Sequence, residues 1–87
     1  MTTARDAFLL HLDQPAELVA LLEHNRIHYA VWTRPDPVFD HLPFNVHAFF
    51  WRPDRTPTFS LTRSGVYDLD MQSAMQLVAD LMRGVTI

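Results

Sequence analysis

The chain has no cysteine, so a disulfide framework and a thiolate metal site are both excluded. A small fold without such staples suits a reducing cytosol, and we expect a cytoplasmic location. Only two glycines are present, Gly65 and Gly84, too few for a phosphate-cradling loop. Long apolar runs are missing as well. The longest, such as 7–10 and 18–22, fall far short of the ~20 residues of a membrane span, and the N-terminus lacks a basic-then-apolar signal pattern. Neither secretion nor membrane insertion is expected. Lysine is absent too: all seven basic residues are arginine, which reads first as the codon bias of a GC-rich genome.

What is present is apolar and aromatic. With 87 residues, 48% of them hydrophobic and 20% charged, the chain makes one small globular domain spanning 1–87. The net charge of -3 divides unevenly, as -3 over residues 1–25, +2 over 26–63 and -2 over 64–87. A mildly basic middle between acidic ends is not the footprint of a dedicated duplex binder, which must neutralise many phosphates. It does suit recognition of an acidic protein surface.

Along the sequence, residues 8–12 form a short apolar run read as a strand, with a first helical turn as the alternative. "DQPAELVALLEHN" follows, with Asp13 or Gln14 as a cap, Pro15 in the first turn and Leu18, Leu21 and Leu22 on one face. It predicts a helix. Residues 26–34 read as a strand stopped by Pro35. The segment 35–44 holds three prolines among Val38, Phe39, Leu42 and Phe44, and is expected to be a loop that packs on something. Residues 45–52 and 56–63 form a hairpin through "RPDRTP", and "VYDLD" adds a further strand. Asp70 or Asp68 then caps a final helix on which Met71, Ala74, Met75, Val78, Leu81 and Met82 recur at helical spacing, ended by Arg83-Gly84. The predicted order is β-α-β-β-β-α. The predicted fold is α+β: a two-layer domain with a mostly antiparallel sheet of four to five strands and two helices on one face.

Such a sheet leaves its second face in need of a cover. Alternation turns Ile27, Tyr29, Val31, Val46, Ala48 and Phe50 toward the helices, and leaves Trp32, Phe49 and Trp51 opposite, amid His28, His47 and arginines. Three such rings present roughly 450–750 Å² of apolar area, at or above the largest patch of an ordinary monomer. The loop 35–44, a second copy of the protein or a foreign partner is expected to cover it. The expected partner-binding residues are Trp32, Phe49, Trp51, His28, His47, Arg34, Arg52 and Arg55.

The sequence carries no strong chemical motif. His24 and His28 are four apart but lack a carboxylate at a tight ligand spacing, so no metal is expected. Asp40-His41 near Arg34 or Arg52 forms a conceivable acid-base pair, yet no nucleophile motif or second acid accompanies it. No catalytic residue and no cofactor is expected. The stretch "NVHAFF" resembles the aromatic strand of an RNA-recognition sheet in its rings alone. Asn45 and Val46 stand where that motif has a basic residue and glycine, and the strand order differs, so no family is assigned. The expectation is a non-catalytic protein-interaction module: a small inhibitor, adaptor or assembly factor, of the sort phages and mobile elements carry. It acts through an aromatic and arginine sheet face or edge, on a protein partner or as a homodimer. The alternative is single-stranded nucleic-acid binding, with Trp32, Phe49 and Trp51 as stacking platforms and Arg26, Arg34, Arg52 and Arg63 along the backbone.

Overall fold

The structure, a computed structural model, describes residues 3–51, 60–61 and 65–84. Its elements run α1 (Ala4–Leu12), β1 (Glu17–His24), β2 (Ile27–Thr33), β3 (Phe44–Phe50), β4 (Ser60–Leu61), β5 (Val66–Leu69) and α2 (Met71–Met82). The α+β class, the antiparallel sheet and the two helices are as expected. The first two segments exchange identities: residues 8–12 belong to a helix, and the segment expected to be helical is a strand.

Both exchanges have local causes. Thr3 caps α1, its Oγ1 accepting from the Asp6 backbone N–H at 3.1 Å, and Asp6 sits at the positive end of the helix. Asp13 then takes a left-handed conformation at φ 52°, and Pro15 follows. The residues that resemble the start of a second helix are therefore the end of the first. In β1, the register passes from Leu18 opposite Trp32 directly to Ala20 opposite Val31, so Val19 is a bulge. The extra residue breaks the two-residue period and turns Leu18 and Leu21 to the same side, which imitates helical spacing.

The sheet runs β1-β2-β3-β4, with β5 also pairing β3, and its pairings are antiparallel. β1 and β2 join through Asn25 and Arg26, both at positive φ (52° and 69°), as a two-residue hairpin of right-handed twist requires. The turn expected at "RPDRTP" lies outside the described residues.

Each face carries one helix, where the sequence suggested both on one face. α2 lays Ala74 and Val78 on Tyr29, Val31, Val46 and Ala48. It is capped by Asp70, whose Oδ1 accepts from the Ser73 N–H at 2.6 Å, and stopped by Gly84 at φ 88°. Asp68, the alternative cap, instead sits at φ 60° in the irregular β3–β5 pairing, its N–H donating to Asn45 Oδ1. α1 lays Phe8, with Ala4, Leu9 and Leu12 beside it, on Ala30, Trp32 and Phe49. The cover of the aromatic face is thus the N-terminal helix. The loop 35–44 does not supply it: Val38 is 66% exposed and Phe39 47%. Two expected core residues are also more open than alternation implied. Phe50 is 42% exposed at the end of β3, and Leu22 is 37% exposed because β1 is an edge strand that α2 does not reach across.

Candidate functional site

The expected docking residues divide by depth. Trp32 and Phe49 are fully buried, and His28 and His47 are buried beside them, so none of the four forms an open surface. Phe49 stacks on Phe8 with centroids 5.2 Å apart, and on its other side lies His28 at 5.3 Å. Base stacking on this face requires these rings to be free, and α1 occupies the place a base would take. Trp51 is half-buried at the margin of the same cluster, in edge contact with His28 at 6.2 Å. Arg34 is half-buried, while Arg52 and Arg55 lie outside the described residues.

A polar relay crosses the buried face. The Trp32 Nε1–H donates to His47 Nδ1 at 3.0 Å, and His47 Nε2 lies 3.2 Å from the Tyr67 hydroxyl. Indole nitrogen only donates, so Nδ1 must be the bare nitrogen and the ring proton sits on Nε2. Burial, and secondarily the charge of nearby His11, pushes the His47 pKa below its usual value and keeps the ring neutral. Nε2–H therefore donates to the Tyr67 oxygen, and the hydroxyl proton of Tyr67 is left to point elsewhere. Gly65 packs against this imidazole: a Cβ at position 65 would overlap the His47 ring. Asn45 fixes the flanks, its Nδ2 donating to the Trp32 carbonyl at 3.3 Å and its Oδ1 accepting from Asp68.

At the outer end of this relay stands Arg34. Trp32 and Tyr67 meet at 89° with centroids 6.0 Å apart, and the Arg34 guanidinium carbon lies in their corner, 5.6 Å from one ring and 5.2 Å from the other. Stacking on aromatic faces holds the planar fork in place and removes part of its rotamer freedom. Among the described residues, its buried Nε has no hydrogen-bond partner and Arg34 joins no ion pair. Tyr67 was not singled out from the sequence. The signal was available: pairing of "VYDL" with β3 puts Val66 opposite Val46, so the next residue falls on the face of His47.

The opposite end of β2 carries a second constellation. A cleft of about 310 Å³ is lined by Glu23, Arg26, His28, Phe50 and Trp51. His28 Nε2 lies 3.1 Å from Glu23 Oε2, and its Nδ1 is buried without a partner among the described residues. His24, the other member of the spacing weighed for a metal, is exposed, and no group of three metal-ligating side chains occurs among the described residues. No described helix is long and apolar enough to cross a membrane. No family model, curated protein or solved structure matches this sequence.

Proposed function

We propose that the protein is a non-catalytic protein-interaction module that binds its partner at the sheet end where β2 gives way to the proline-rich loop. The observation that carries this reading is the exposure of Val38 and Phe39 on a loop that begins at Pro35, directly after ring-stacked Arg34, which has no ion-pair partner among the described residues. Prolines at 35, 37 and 43 limit the freedom of that loop, and the Phe39 ring sits in edge contact with His41 at 6.1 Å. A pre-shaped apolar loop loses little entropy on docking, so more of its contact energy appears as affinity.

A catalytic use of His47 finds no support. Both of its ring nitrogens are engaged, by Trp32 and by Tyr67, which leaves none to move a substrate proton. The cysteine-free composition favours a cytoplasmic partner. The test compares wild type with the double variant Val38→Ser/Phe39→Ser as bait in a lysate of the cells that express the protein. Both side chains are exposed, so the melting temperature should stay within a few degrees. The wild type should retain a defined protein that the variant loses. Retention of the same protein by both baits, or of nothing above background by the wild type, would refute the reading.

A further inference from the structure

We infer that Arg34 and Tyr67 together form a receptor for one carboxylate, the acidic side chain of a residue on the protein partner. The inference rests on the interaction reading above and names the chemistry recognised beside the loop. Its basis is the direction of the hydrogen bonds. Because Trp32 can only donate, His47 Nδ1 must accept, Nε2–H must donate, and Tyr67 must receive at its oxygen. The phenolic proton is then not shared with His47, and the exposed Tyr67 ring lies beside the guanidinium.

Arg34 supplies the complement. A guanidinium fork matches a carboxylate in a bidentate geometry, and stacking in the Trp32–Tyr67 corner fixes its plane before the ligand arrives. The fork and the hydroxyl offer three donors to the lone pairs of two oxygens. Charge selects the ligand further. Asp36, Asp68 and Asp70 follow these two residues closely in sequence, and a single cation with acidic neighbours suits a monoanion better than a phosphate dianion. Phospho-recognition sites instead gather several arginines. The terminal carboxylate of a polypeptide is captured by nests of backbone N–H groups, whereas the donors here belong to side chains.

The test is a titration of the full-length protein, followed by amide, Arg34 Nε–H and Tyr67 ring resonances at constant ionic strength. The probes are N-acetylglutamic acid amide, its neutral glutamine analogue, N-acetylglycine and inorganic phosphate. The glutamic acid probe should produce saturable shifts at Arg34 and Tyr67, with a dissociation constant on the order of 10 mM for so few contacts. The glutamine analogue should leave both unmoved. Tyr67→Phe keeps the ring under Arg34 but removes the hydroxyl, and should weaken the glutamic acid probe roughly tenfold or more. Arg34→Lys keeps the charge but loses the planar fork, and should weaken it similarly.

Absence of saturable shifts in the wild type, or equal shifts from the glutamine analogue, would overturn the carboxylate receptor. Phosphate or N-acetylglycine binding as tightly as the glutamic acid probe would overturn the assignment to an acidic side chain. The two readings fail separately. If partner retention depends on Val38 and Phe39 but the probe does not bind, the receptor alone is refuted. If the probe binds and no partner is retained, the carboxylate site stands, and the interaction reading and the protein partner assigned to that site are refuted.

Discussion

Replacing Phe8 by alanine tests whether α1 is the structural cover of the aromatic face. The Phe8 ring is fully buried, stacked 5.2 Å from Phe49 and tilted against His47 at 5.6 Å. A phenylalanine hides ~150–250 Å², which at ~25 cal/mol per Å² is worth ~4–6 kcal/mol of transfer energy. Alanine retains part of that burial, while the cavity adds a cost, and Phe→Ala changes in cores fall at ~3–5 kcal/mol. The gain in helix propensity on placing alanine in α1 offsets only about half a kcal/mol. For a domain of 87 residues, total stability is ~4–13 kcal/mol, so Phe8→Ala should remove about a fifth of it or more. Urea unfolding followed by far-ultraviolet circular dichroism and by tryptophan emission measures the loss. The emission of the variant should also shift to the red before the main transition, since Trp32 gains water as α1 lifts. Leu10→Ala is the control: Leu10 lies on the same helix but is 80% exposed, and should change stability by less than about 0.5 kcal/mol. A loss below ~1 kcal/mol for Phe8→Ala, or an equal loss for both variants, would mean that α1 is not packed on the sheet.

Two further outcomes follow from the buried polar relay. Gly65→Ala should cost ~1–3 kcal/mol by driving a methyl group into the His47 ring, and should displace the Trp32 indole N–H resonance; an unchanged urea midpoint would refute that contact. The folded-state pKa of His47 lies below its unfolded value of 6.5, so the unfolded state takes up that proton first, and stability that is complete above about pH 6.5 should decline as the pH falls through 6.5 toward the folded pKa. Urea midpoints measured across that window should fall with acid more steeply for wild type than for His47→Gln; equal slopes would show that His47 contributes nothing to them.

The layers legible in the sequence were those fixed by strict alternation or by strong caps. In β2 and the paired stretch of β3, Tyr29 and Val31 match Ala48 and Val46 across the strands, so the two-residue period sorts core from cover without ambiguity. In α2, Asp70 and Gly84 mark the ends, and Ala74 and Val78 fall four apart on the buried stripe. The first 24 residues misled for a physical reason. The β1 bulge mimics a helical period, and a left-handed Asp13 before Gln14 and Pro15 presents the same residue types as an N-cap. Phe8 decides the matter only through contacts far away in sequence, on Phe49 and His47, which no local pattern displays. Gly65 is a similar case. It reads as a turn residue, but its φ is not positive, and what requires glycine there is the close approach of His47 from another strand.

Coverage of both sheet faces also decides where recognition can occur. With Trp32 and Phe49 interior, neither ring offers a docking surface, and the two ends of β2 differ in their open groups. At the hairpin end, His28 Nε2 is engaged by Glu23 while its Nδ1 stays buried without a partner among the described residues. β1 presents a free edge, but the Val19 bulge interrupts its ladder, a device that discourages pairing with another strand. At the loop end, the guanidinium of Arg34 has rings to lie on and no anion to meet among the described residues, and apolar side chains stand exposed just beyond it. A half-buried cation without a counter-charge among the described residues loses solvation that ring stacking returns only in part. On the reading proposed above, a carboxylate docked at that corner would restore it, with Trp32 of the aromatic face serving as part of the platform under Arg34.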